Sequence, residues 1–350
     1  MQLVEIKSPI VVKTDDMKCI ALINFIGSRI TPLHYPKALK ISILTTIFFL
    51  LSPLFSAANE DYRDTTIELQ GEVLVWTLYQ RNMSPANTPQ PIFTTNQFQG
   101  SKIDNVQYSW RPGYRLSGFY DVFFGEVGAR FTSYQGSLNQ RFTTSPTQGF
   151  YPLFTMWEDQ QPSDYTRFSY INGKVDLWMI DAFAVFNLVS EDILIYPKVG
   201  VRNIWINQNY DTTYDGGTFV AGTDSIQRTS NYYGIGPQVG VTGFYHLFSH
   251  LFFTGEALVT WYAGTFKDIQ TEIFLTRTLR NQSFHRTYGR FSVDLQGGFE
   301  WVSSFFNDKW MVGLDAGGDW IFFNNGSNNL PANGTNLYFT GVHGGLKLAF

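Results

Sequence analysis

From Tyr288 to Val302 the chain alternates without a break. Phe291, Val293, Leu295, Gly297, Phe299 and Trp301 fall on one parity, and Arg290, Ser292, Asp294, Gln296, Gly298 and Glu300 on the other. After Phe305-Phe306-Asn307-Asp308 the pattern resumes: Trp310, Val312, Leu314, Ala316, Trp320 and Phe322 face one way, Asp315 and Asp319 the other. Successive side chains of a strand point to opposite faces, so both stretches read as strands with one apolar and one charged face, joined by a tight turn. A helix needs apolar residues three and four apart, and no stretch after Ala58 sustains that period.

Reading the chain this way predicts ten strands, near 66–80, 105–120, 122–134, 165–189, 191–211, 230–246, 250–266, 287–304, 309–323 and 336–350. Their connections alternate in length. Short ones fall near Asp121, at Ser190-Glu191, from His246 to Ser249 and from Phe305 to Asp308. Long ones, rich in Asn, Thr, Gln, Ser and Gly, fall at 81–104, 135–164, 212–229, 267–286 and 324–335. Short turns on one side and long polar loops on the other are the layout of an outer-membrane β-barrel. The expected fold is therefore an all-β, transmembrane, antiparallel up-and-down barrel of ten strands. A hairpin inside 81–104 or 135–164 would make twelve. Composition agrees: 17% of residues are aromatic, 15% are charged and 31 are glycine, whereas about a quarter of a typical globular chain is charged.

Phe291 and Trp301 are ten residues apart on one face, as are Trp310 and Trp320. Ten residues of strand rise roughly 33 Å, and a tilt of about 40° brings that to about 25 Å along the membrane normal. These four aromatics are expected to mark two interfacial girdles. The opposite parity is expected to face the lumen with the acids Glu68, Glu72, Glu126, Glu256, Asp294, Glu300, Asp315 and Asp319. The bases there are Arg111, Arg115, Arg130, Lys198, Arg202, Arg290 and Lys347. The signs balance, so strong ion selectivity is not expected. Parity fails in the fourth strand, where Asp176 and Asp181 fall on opposite faces; a bulge, or an Asp near the membrane rim, would reconcile them.

The chain ends LYFTGVHGGLKLAF. Val342, Leu346, Leu348 and Phe350 share the lipid-facing parity, while His343 and Lys347 face the lumen. Most soluble chains end in loose polar residues; a terminal strand that closes a barrel cannot. Phe350 also resembles the C-terminal aromatic signal that the barrel assembly machinery recognises.

Residues 37–58, KALKISILTTIFFLLSPLFSAA, combine a basic start, a fifteen-residue apolar run and small residues before a cut after Ala58, the pattern of a signal peptide. Residues 1–36 match no targeting pattern and read as a start assigned too far upstream or as disordered chain. The barrel would occupy 59–350. That part holds 19 basic and 26 acidic residues, a balance that disfavours nucleic acid. Cys19 is the one cysteine, so the mature chain has no thiol for a disulfide, a metal or a nucleophile.

Several motifs occur in order. They are Trp110-Arg111-Pro112-Gly113-Tyr114-Arg115, Val175-Asp176-Leu177, Pro197-Lys198-Val199-Gly200-Val201-Arg202, Ile206-Asn207-Gln208 and Gly234-Ile235-Gly236-Pro237. Together, across about 105–265 and more weakly beyond, they resemble the Legionella and chlamydia-like major outer membrane protein family. The resemblance implies a pore in the outer membrane of Gram-negative bacteria that passes small hydrophilic solutes. It offers no catalytic residues. The cysteine-rich, cross-linked envelope of chlamydiae proper is not matched by a cysteine-free mature chain.

Other constellations carry little. His246 and His250 are four apart but sit at a strand turn and lack the glutamate of a zinc-protease helix. Gly234-Ile235-Gly236-Pro237-Gln238-Val239-Gly240 has no helix after it to make a phosphate loop. Ser283 and His285 lack an orienting acid. No enzyme activity, cofactor or metal is expected. The expected partners are outer-membrane lipid, the assembly machinery and small hydrophilic solutes. The alternative is a closed barrel acting as an adhesin or scaffold through its long loops, with a host surface or further copies of the chain as partner.

Overall fold

The computed structural model describes residues 67–80, 90–91, 106–145, 148–149, 166–186, 188–189, 193–217, 219–248, 250–274, 277–305, 310–324 and 336–350. The expected extension 1–36 and signal peptide 37–58 lie outside them. Ten long strands form one closed antiparallel barrel. They are β1 (Ile67–Gln80), β2 (Arg111–Val122), β3 (Gly125–Thr143), β4 (Phe168–Phe186), β5 (Ile193–Gly216), β6 (Phe219–Phe248), β7 (Leu251–Phe274), β8 (Arg277–Phe305), β9 (Trp310–Phe323) and β10 (Leu337–Ala349). Each pairs with the next, and β10 returns to β1 in continuous register from Glu68↔Ala349 to Gln80↔Leu337. Short strands at Val106–Gln107 and Leu188–Val189 add to the edges of β1 and β5, and Gln90–Pro91 pairs with Gln148–Gly149 apart from the barrel.

The seam is complete to its last residue. The Ile67 amide donates to the Phe350 carbonyl at 2.9 Å, and the Phe350 amide donates back to Ile67 at 3.0 Å. The Phe350 ring stacks on Trp310, with centroids 5.2 Å apart. A barrel leaves no strand edge in hydrocarbon, where an unpaired backbone group costs several kcal/mol.

The extracellular excursions are long, but two of them are strand rather than loop. Residues expected as loops at 212–229 and 267–286 largely continue β5 and β6, and β7 and β8. The β5–β6 hairpin turns at Gly216 and Gly217, whose φ values of 73° and 72° lie in the left-handed region that glycine adopts without steric cost. β6 and β7 stay paired from the barrel floor up to Asp224↔Phe274. β9 meets β8 only from Ser292 to Phe305, so along 277–290 β8 has no strand on that side among the described residues.

The barrel inverts its polarity along its height. In its lower half, exposed apolar residues such as Leu69, Val73, Leu314 and Leu346 cover the outside, while Glu72, Arg115, Lys198 and Asp319 are buried within. Higher up the inside is apolar. In β1 the inward series Glu68, Gln70, Glu72 gives way to Leu74, Trp76 and Leu78, each fully buried. In β4 the inward Met179, Leu177, Val175 and Ile171 are buried, while Asp176 and Lys174 point out just above Trp178. β4 pairs without a register break on either side. Asp176 therefore faces out at the membrane rim and Asp181 faces in, with no bulge between them.

Outward aromatics lie in two bands. Trp178, Trp205 and Tyr233 are register neighbours across β4, β5 and β6, and Trp261 is paired with Phe291 across β7 and β8. Trp320 stacks on Phe322 at 6.1 Å. At the floor, Trp301, Phe305, Trp310 and Phe350 are exposed.

Removal of Phe350 should cut one seam hydrogen-bond pair and the Trp310 stack. The expected result is a several-fold loss of heat-modifiable, membrane-inserted barrel on gels of outer-membrane fractions. Normal insertion of the truncated chain would show that the seam tolerates an open end.

Candidate functional site: the barrel interior

The interior is built in three storeys. The lowest is a charged cavity of about 450 Å³ bounded by Glu68, Glu72, Glu126, Arg130, Lys198, Glu256, Glu300, Asp315, His343 and Lys347, with Phe119, Tyr196, Phe244 and Phe252 among its walls. Its lining comes from the floor ends of the strands, so it faces the side of the short turns.

Above it lies a storey of ion pairs that crosses the lumen. Arg202 on β5 binds Asp181 on β4 through two contacts, Nε–Oδ1 at 2.5 Å and Nη2–Oδ2 at 2.9 Å, and its third nitrogen reaches Asp294 on β8. Arg115 on β2 binds Glu72 at 2.5 Å and, at 3.3 Å, Asp319 on β9. Asp319 also accepts from Trp76 Nε1 at 2.9 Å and lies 3.1 Å from His343 Nδ1. Arg130 makes a two-pronged pair with Glu256 at 2.6 and 3.1 Å, and Lys198 binds the same carboxylate. Lys347 links Glu300 at 2.9 Å to Glu68 at 3.3 Å. The gap left among Arg115, Arg130, Arg202, Asp294 and Asp319 measures only about 10 Å³, room for about one water.

The third storey is apolar. Leu74, Trp76, Leu78, Tyr134, Leu138, Ile171, Leu177, Ile204, Tyr262, Phe323 and Phe339 form one buried cluster from opposite walls. Phe339 meets Trp76, Tyr134 and Phe323 at centroid distances of 6.2, 5.7 and 5.7 Å. Tyr108 and Tyr210 hydroxyls meet at 2.9 Å, and Tyr210 also donates to Gln80 at 2.7 Å.

Thus Glu72, Arg115, Arg130, Lys198, Arg202, Glu256, Asp294, Glu300, Asp319, Lys347 and Glu68 are joined by ion pairs, while Glu126 and Asp315 line the cavity beneath. Two candidates stand apart. Arg111 is exposed at the upper end of β2 and donates to Ser137 Oγ at 2.9 Å. Arg290 is buried among Tyr232, Tyr288 and Phe266, its guanidinium 4.1, 4.9 and 5.4 Å from the three centroids. Asp181 was absent from the sequence-derived set because parity failed on its strand. The pair Arg228–Asp268, 2.7 Å apart, and the buried acids Asp224 and Glu272 lay in stretches read as loop.

Ser283 and His285 both face outward on β8, and their register partners are Ile269 and Lys267, neither of them an acid. Among the described residues no group of three or more His, Cys, Asp or Glu is placed to hold a metal ion.

The family model described as Legionella pneumophila major outer membrane protein precursor matches residues 64–349. The chain belongs to that family. It is accordingly a protein of the bacterial outer membrane, its strands in contact with lipid. No curated protein matches it. Among solved structures it is similar to the outer membrane protease OmpT of Escherichia coli, at 10% identity over 84% of this chain and 99% of that one, with a TM-score of 0.44. It is also similar to a major outer membrane protein of Thermus thermophilus, at 12% identity over 82% and 100%, with a TM-score of 0.34. The toluene transporter TodX of Pseudomonas putida matches at 10% identity over 83% and 90%, with a TM-score of 0.29.

Two outcomes follow for this family member. Arg202→Met would strand two carboxylates in the interior. Breaking a buried pair costs about 3–5 kcal/mol, which urea titration in lipid vesicles should register as a lower unfolding midpoint. Asp224 lies in the extracellular wall, nine residues above Tyr233 of the upper aromatic band on its own strand and opposite Phe274, thirteen residues above Trp261. Burial, and then the Glu272 carboxylate, push its pKa up from 3.8 to about 7. The folded wall therefore holds a proton that the unfolded chain releases, so raising the pH from about 4 to about 7 costs the fold stability, and the full penalty stands above that. Asp224→Asn should be more resistant than wild type to protease nicking of the β5–β6 hairpin at pH 8, with the difference fading towards pH 4.

Proposed function

We propose that this chain works in the outer membrane as a sealed barrel that acts through its extracellular wall, as an adhesin or envelope scaffold. The observation that carries this is the apolar storey: Leu74, Trp76, Leu78, Ile171, Leu177, Ile204 and Phe339 have no accessible surface, and they meet from opposite walls. A diffusion pore needs a continuous column of water, and that column stops beneath Trp76. Material is instead placed outside. From Trp261 to Phe274, β7 climbs thirteen residues beyond the upper aromatic band, roughly 43 Å of strand or about 33 Å of height at a tilt near 40°. The outward residues of that wall, among them Lys174, Asn207, Asn209, Asp211, Gln227 and Lys267, are polar and suit contact with a partner. No catalytic activity belongs to this reading.

A second reading is the porin-like channel for small hydrophilic solutes, supported by the charged cavity in the lower barrel. It requires the apolar storey to open. Purified protein in planar bilayers separates the two. The sealed reading expects silence from wild type over a wide voltage range. It expects stepwise conductance only after Trp76→Ala and Phe339→Ala are combined. Stepwise conductance from wild type would overturn it in favour of the porin.

A further inference from the structure

Above the membrane β8 is an edge strand among the described residues. β7 accompanies it from Trp301 up to Arg277, but β9 meets it only between Phe305 and Ser292. The last bond on that side runs from the Asn324 amide to the Phe291 carbonyl at 2.9 Å. Phe291 belongs to the upper aromatic band, paired there with Trp261. The sheet is therefore closed through the lipid, where open backbone is forbidden, and opens directly above it.

Backbone groups of a strand point alternately to its two sides. The Phe291 carbonyl points towards β9, so the N–H and C=O groups of Gly289, Thr287, His285, Ser283 and Asn281 point the same way, where no described strand takes them. All five residues are exposed. Such a row is a template for a further strand, which many proteins blunt with a proline or a short edge. This edge is long and has no proline from 277 to 290.

Its charge is one-sided. Residues 277–290, RTLRNQSFHRTYGR, hold four arginines and a histidine and no acid. Arg286 and His285 are exposed, and His285 lies opposite the exposed Lys267 of β7. The acids of β7 at this height, Asp268 and Glu272, are buried. A second copy of the chain would bring the same basic strand, and like charges on paired strands repel. Residues 325–335, outside the described residues, carry no charge and contain Pro331. A sulfated polysaccharide would answer the charge but not the alternation of backbone donors and acceptors. An acidic polypeptide answers both.

We propose that the upper edge of β8 takes up an extended, acidic segment of a partner protein as an added strand, bonded to the backbone between Asn281 and Gly289, with its carboxylates beside Arg286 and His285. This partner class rests on the adhesin reading of the extracellular wall, and the added strand needs no particular state of the lumen.

The probe is a fluorescein-labelled peptide alternating threonine and glutamate, titrated by fluorescence anisotropy against the purified, detergent-solubilised protein. Saturable binding is expected, with none for the same peptide N-methylated throughout, which keeps its charge and loses its donors. Thr287→Pro removes one open N–H and spares the bonds to β7, since a strand tolerates proline where its N–H faces outward. It should weaken binding about tenfold. His285→Glu combined with Arg286→Glu should lose the glutamate peptide and gain its lysine counterpart, which keeps the test open if the proline variant fails to fold. Absence of saturable binding to wild type, or undiminished binding in a folded Thr287→Pro or in the charge-reversed variant, would overturn the proposal. Equal binding of the N-methylated peptide would mark a surface for polyanions in general and overturn it too. Conductance by wild type would overturn the sealed reading and leave the peptide result standing.

Discussion

Everything in this molecule depends on one requirement: inside a membrane no backbone amide or carbonyl can go unpaired. A sheet meets it only by closing on itself. The hydrogen bonds between Ile67 and Phe350 are where this chain does so. Closure at ten strands then sets the bore. An eight-stranded barrel is already filled by side chains, and ten strands add little room, so whatever sequence alternation places inside must meet across the lumen. Arg130 reaching Glu256, and Arg202 reaching Asp294, are consequences of that narrowness.

The same sheet passes through two solvents. Within lipid the apolar side must be outside and the charges inside. Above lipid water takes over, and the rule reverses. The chain obeys both by exchanging which parity is apolar at the level of the upper aromatic band, as the series Glu68, Gln70, Glu72, Leu74, Trp76, Leu78 shows along β1. The lumen is therefore charged where the outside is greasy, and it turns apolar at Leu74, Trp76 and Phe339 where the outside becomes wet, with the buried Arg228–Asp268 pair, Asp224 and Glu272 in the upper wall. The extracellular wall behaves like the core of an ordinary water-soluble protein, and that core seals the barrel.

That exchange explains what could and could not be read from the amino-acid order. The strands in the lower barrel announce themselves by alternation, and the seam by an aromatic last residue. The tight turns on one side and the lengthy excursions on the other reveal topology and strand number. What escaped was the upper barrel. In 212–229 and 267–286 the outward residues are polar and the inward ones mix Tyr214, Ile226 and Phe266 with Asp224, Asp268 and Glu272. Neither parity is uniformly apolar, and the stretches pass for loop. Asp176 and Asp181 conflict by parity alone because they straddle the level at which the rule changes. The balance of charge was legible as a total, but which acid meets which base across the lumen depends on height, which sequence does not carry.

Height also decides what each ion pair does. A lumen pair removed from water repays its desolvation only with good geometry and further hydrogen bonds. The middle storey has both: Arg202 is gripped at three nitrogens and Asp319 accepts from an indole while lying beside an imidazole. Those charges are held by ion pairs, and of their atoms Asp294 Oδ1 and Arg130 Nε are buried without a hydrogen-bond partner. The floor differs in holding a cavity of about 450 Å³, on whose wall Glu126 has no ion pair among the described residues. The cavity marks the floor as the part of the interior where side chains leave room for water.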